Sequence, residues 1–108
     1  MTPQTRINEI QAIYKEWLAL QERLQIAKQD LAKSAELMSQ LEEFYFDGEY
    51  REIFEQIENG EQIDLTTDGE YSVMSEDALW NAVHDHDSML WDFMRFCVKH
   101  LDKGDDAS

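Results

Sequence analysis

From Thr5 to Phe46 the chain contains neither glycine nor proline and is rich in Ala, Leu, Gln, Glu and Lys. These residue types lose little freedom on entering a helix, and nothing in the stretch offers a terminator. Apolar residues recur at heptad spacing. Ile10, Trp17, Leu24, Leu31, Met38 and Tyr45 form one column, Ile13, Leu20, Ala27, Ser34 and Leu41 the other, and only Ser34 interrupts the seam. Alternating steps of three and four residues keep both columns on one side of a helix. One long helix is therefore expected over residues 5–46. Ile7, Tyr14 and Leu18 widen the stripe, as in a helix that meets more than one neighbour. At about 1.5 Å per residue, forty residues reach roughly 60 Å, against a width of about 26 Å for a compact domain of this size. The helix is expected either to bend or break near Lys33-Ser34-Ala35 or to project and pair with another chain.

Phe46-Asp47-Gly48 is the first stop, and a short acidic helix is predicted over residues 49–58. Tyr50, Ile53, Phe54 and Ile57 share one arc of it, and Glu52, Glu55 and Glu58 are expected on the opposite side. Asn59-Gly60 supplies a stop in which glycine takes the left-handed conformation. Residues 59–74 read as a polar loop, with Thr66-Thr67-Asp68-Gly69 marking a turn or short strand. Ser75 before Glu76-Asp77-Ala78 is expected to cap the next helix, its hydroxyl accepting an orphan N–H and two acids favouring the first turn. A C-terminal helix pair is predicted over residues 76–84 and 88–101, broken at Asp85-His86-Asp87-Ser88. The second member carries Met89, Leu90, Trp91, Phe93, Met94, Phe96, Cys97, Val98 and Leu101, which places it at the centre of the fold and makes Cys97 a buried small hydrophobe. Residues 103–108 read as a frayed tail. The expected fold is all-α: a small helical bundle in one domain, residues 1–108.

Charge narrows the function. Twenty-four acids against nine bases leave a net charge of −15. Residues 1–41 hold five of each and sum to zero, so the whole excess lies in residues 42–108. Such a field repels nucleic acid and anionic membranes and attracts basic surfaces, which argues against direct DNA or RNA binding. No apolar run approaches the ~20 residues that span a bilayer, and the N-terminus lacks an apolar signal segment. A single cysteine suits a reducing compartment, and a cytoplasmic location is expected.

Catalytic and metal motifs are weak. His84-Asp85-His86-Asp87 resembles a ligand cluster, but residues two apart on a helix point about 200° from each other, and no third nitrogen or sulfur ligand lies nearby. Asp64 to Glu70 resembles half a calcium loop, with oxygens at positions one, three and five and glycine at six. The match fails at Ser75, where a bidentate glutamate is required. No nucleophile triad, glycine-rich phosphate loop or Cys-x-x-Cys is present. Neither enzyme activity nor a metal or cofactor is expected.

The acids themselves are the candidate site. Glu49, Glu52, Glu55 and Glu58 repeat every three residues, about 4.5 Å along a helix axis, against one charge per about 3.4 Å of a DNA strand. Extended by Glu61, Asp64, Asp68 and Glu70, this surface is expected to bind a basic protein, in its most concrete form as a nucleic-acid mimic that inhibits a nuclease or other nucleic-acid-binding protein. The alternative expectation is a homodimeric scaffold or adaptor joined through Ile10, Ile13, Trp17, Leu20, Leu24 and Leu31 of the heptad seam.

Three segments also carry a resemblance: Arg6-Ile7 through Ile13-Tyr14, Leu41-Glu42-Glu43-Phe44-Tyr45, and Val73-Met74-Ser75-Glu76-Asp77-Ala78-Leu79-Trp80. Over residues 6–101 the chain resembles a domain-of-unknown-function family, number forty-two ninety-eight, of short bacterial proteins. The resemblance implies a small helical bacterial or phage-encoded protein and no established activity. This chain differs from that pattern in lacking a proline within the first helical region and in its His84-to-Asp87 segment and extra tryptophans.

Overall fold

A computed structural model describes residues 2–75 and 77–102. It contains helices α1 (Pro3–Phe46), α2 (Glu49–Glu58) and α3 (Ala78–Leu101), with no strand among the described residues. The fold is all-α. The expected frayed tail, residues 103–108, and Glu76 of the expected helix start lie outside the described residues.

Helix α1 begins at a cap that the heptad pattern does not reveal. The Thr2 hydroxyl oxygen accepts the Thr5 N–H at 3.1 Å, and the two threonine hydroxyls share a hydrogen bond of 2.9 Å. Pro3 takes the first helical position, where its missing N–H costs nothing. The helix continues through Lys33-Ser34-Ala35 without a break.

The chain divides into two compact units, Met1–Leu37 and Met38–Ser108. The first unit is the N-terminal part of α1. Its described residues are exposed except Gln21, Leu31 and Ser34, which are half-buried. The second unit holds the end of α1, then α2 and α3. Its core contains Met38 and Leu79, 9% and 4% exposed, among half-buried residues that include Leu41, Phe44, Tyr45, Tyr50, Ile53, Ile57 and Val83. Aromatic contacts join the end of α1 to α2: Tyr50 meets Phe44 and Tyr45 edge-on, with ring centroids 6.1 and 5.0 Å apart.

The C-terminal half corrects several expectations. The predicted helix pair is one helix of 24 residues that runs through Asp85-His86-Asp87-Ser88. Asp, His and Ser cost a helix interior only about 0.5 kcal/mol each relative to alanine, and no glycine or proline interrupts it. Ser75 does not cap this helix. Its hydroxyl donates to the Ser72 carbonyl at 2.6 Å, and α3 starts at Ala78 with Asp77 as cap residue and no side-chain cap bond. Nor is the end of α3 central. Trp91, Phe93, Met94, Phe96, Val98 and Leu101 are exposed, and so is Cys97. The buried contact of α3 lies at its start, at Leu79, so composition alone misplaced the packed segment.

Candidate functional site

Charge and structure divide at nearly the same point. Residues 1–37 hold five acids (Glu9, Glu16, Glu22, Asp30, Glu36) and five bases (Arg6, Lys15, Arg23, Lys28, Lys33), so the second unit carries all of the net −15.

Within that unit the short acidic helix is set by backbone chemistry. Gly48 at φ +103° occupies the left-handed region, which glycine enters without steric penalty. It allows α2 to begin with only two residues between it and the end of α1, with the Glu52 N–H on the Gly48 carbonyl at 3.0 Å. The other end closes as a Schellman motif: Glu61 N–H donates to Gln56 C=O and Gly60 N–H to Ile57 C=O, both at 3.1 Å, with Gly60 at φ +92°.

Between these stops lies a groove of ≈ 930 Å³. Tyr45 and Phe46 from α1 and Tyr50 and Phe54 from α2 form its aromatic walls, with Met74 from the following loop. Tyr50 and Phe54 stack with centroids 6.4 Å apart, and Phe46 meets Tyr45 edge-on at 5.0 Å. Glu55, Glu58 and Arg51 supply its charged rim. The expectation that Glu55 and Glu58 face away from the aromatic arc is thus revised. Glu58 follows Phe54, and Glu55 follows Arg51, by one helical turn, so each stands beside its predecessor. Aromatic faces and carboxylates both attract cations, and the groove offers both on one surface.

All eight acids of the expected partner surface are exposed. Glu55 and Glu58 enter the groove, Glu49 and Glu52 share their helix, and Glu61, Asp64, Asp68 and Glu70 lie in the irregular segment that follows. That segment is held by local bonds. The Asp64 carboxylate accepts the Thr66 N–H at 2.9 Å, and the Thr67 hydroxyl donates to the Glu70 carbonyl. Hydrogen bonds from the Thr66 backbone and then its side chain hold the Asp64 carboxyl below its ordinary pKa.

The histidines do not converge, because α3 is continuous. The His84 ring stacks on Trp80 with centroids 3.8 Å apart, and its Nδ1–H donates to the Trp80 carbonyl at 3.0 Å. His86, two residues on, points away from it. Among the described residues no three His, Cys, Asp or Glu side chains gather as a metal site. No described helix is long and apolar enough to cross a membrane.

The family model for the domain of unknown function DUF4298 matches residues 7–96. The chain belongs to that family. Comparison with curated proteins and with solved structures finds no match. The DUF4298 match covers the seam of α1, the groove and most of α3.

Sequence reasoning missed the aromatic side of the groove. Its signal was present as Tyr45-Phe46 before Gly48, followed by Tyr50 and Phe54 one helical turn apart. In the sequence Tyr50 and Phe54 look only like a packing arc, yet Phe54 is exposed.

Proposed function

We propose that this DUF4298 protein is a cytoplasmic, non-catalytic interaction protein that docks a basic protein surface through the groove of its second unit. An arginine or lysine side chain of the partner enters between the rings of Phe46, Tyr50 and Phe54 and pairs with Glu55 and Glu58. The remaining acids, from Glu49 to Glu70, follow neighbouring positive charges. Where those charges line a nucleic-acid groove, the protein occupies it in place of the phosphate backbone. The supporting observation is the convergence of aromatic faces and carboxylates on one groove, in the unit that carries all the net charge. Cation–π contacts at such open sites contribute about 0.5–1 kcal/mol each, and charge-assisted bonds from a guanidinium contribute about 1.5–3 kcal/mol.

Calorimetric titration of the full chain with an arginine-rich peptide tests the reading. Binding should weaken by an order of magnitude or more between about 50 and 500 mM salt, as screening shortens the reach of the acids. A Phe54→Ala, Glu58→Lys double variant should weaken it by a further order of magnitude at low salt. Binding indifferent to salt, or untouched by the double variant, would remove the groove from the mechanism.

A further inference from the structure

The N-terminal seam reaches Leu24 with every member exposed: Ile10, Ile13, Trp17, Leu20 and Leu24, with Ala27 after them. Ile13 and Leu24 are 61% and 60% exposed. Further on, the same two columns reach Met38, which is buried, and Leu41, which is half-buried, both within the second unit. The open seam therefore ends before Met38. We propose that it is covered by a second copy of this chain running antiparallel, with Trp17 facing the partner's Leu20 and Ile13 facing the partner's Leu24.

Charge and the length of matched apolar seam together select this arrangement from the others that the heptads allow. Residues flanking a two-helix seam pair across it and set orientation. A parallel pair places Arg23 beside the partner's Lys28 on both flanks, with no opposite charges to compensate, and sets Trp17 against the partner's Trp17. The proposed antiparallel register places Glu16 beside the partner's Arg23, twice by symmetry. It also sets Asp30 opposite the partner's Glu9, a like-charge pair that is offset by Arg6, whose guanidinium lies 3.2 Å from the Glu9 carboxylate. Small Ala27 then faces Ile10. Sliding one copy by a heptad in one direction sets Glu16 against the partner's Glu16. Glu9 then meets the partner's Arg23, but Leu24 falls against the partner's Arg6 and the seam keeps only its Ile10–Leu20 and Ile13–Trp17 layers. A slide in the other direction sets Arg23 against the partner's Arg23 and Glu16 against Asp30. A second step that way needs the partner's Ile10 at Leu41 and Ile13 at Met38, where the second unit already covers the seam. The charge-balanced unit fits a copy of itself, whereas the acidic unit repels its own kind. This pairing is independent of the groove.

Sedimentation equilibrium of the full chain tests it, with reductant present because Cys97 is exposed. The wild-type chain should be a dimer. Arg23→Glu replaces two attractions with two repulsions and should raise the dimer dissociation constant about tenfold. Adding Glu16→Arg to the same chain restores both pairs and should return the constant to within about threefold of wild type. Circular dichroism checks that helix content is kept. A monomeric wild-type chain overturns the proposal, and so does a swap that fails to restore the dimer. An Arg23→Glu chain that pairs more tightly overturns it too, because relief of the Arg23–Lys28 repulsion is the signature of a parallel pair.

Discussion

In residues 1–37 large apolar side chains stand exposed along a helix whose charges cancel. Residues 38–108 carry an excess of fifteen negative charges and hold a small core at Met38 and Leu79. The first region is held by its backbone ladder and by exposed pairs such as Arg6–Glu9 and Lys33–Glu36, each worth at most about 0.5 kcal/mol. An isolated helix stays marginal in water without an apolar face to bury. The second region has tertiary contacts but carries self-repulsion that a basic partner would relieve. Both are incomplete, in opposite senses: one lacks apolar cover, the other lacks positive charge.

The strongest way to break this contrast is a matched pair of truncations. Leu79→Ala removes a side chain only 4% exposed and should cost about 2–5 kcal/mol in a thermal or urea melt. Leu24→Ala, in chain dilute enough to be monomeric, should change stability by less than about 0.5 kcal/mol. Equal costs would mean that the two regions do not differ as described. Next in size is Gly60→Ala. The left-handed φ of +92° should make it destabilising by about 1 kcal/mol, read as fraying of α2 in amide exchange. Arg51 is the only base between Glu42 and Asp92 and lies on the groove rim. Arg51→Ala should tighten binding of an arginine-rich peptide about threefold, roughly 0.6 kcal/mol, at low salt. The smallest effect concerns Asp64. Its pKa is lowered in the folded chain, so its contribution to stability is complete above the ordinary aspartate range and disappears as pH falls through the lowered value. Carbon-detected titration should show its midpoint below the ordinary aspartate value. Thr66→Val should raise it only partway, since the backbone bond remains.

Local signals made much of this architecture legible. The Gly- and Pro-free heptads announce α1, and Gly48 and Gly60 bracket α2 because both stops act through backbone conformation. Where tertiary packing decides, the reading failed. Asp85-His86-Asp87-Ser88 has the composition of a break, yet each residue is tolerable within a helix, and α3 passes through it. Phe96 and Cys97 have the composition of a core, yet they are exposed. The acids of the groove were visible as a run of glutamates. Their aromatic neighbours were not, because a ring that packs and a ring left exposed look alike in one dimension.

The glycines at the two ends of α2 have nothing within 4 Å of the place where a side chain would begin. They are required by torsion angles and not by a neighbour's shape. The exposed residues between them can therefore change while the helix still starts and stops at the same places, provided Tyr50, Ile53 and Ile57 keep their packing. Substitutions on its exposed face, at Glu49, Glu52, Glu55 and Glu58, would thus alter the charge of α2 and leave its boundaries where they are.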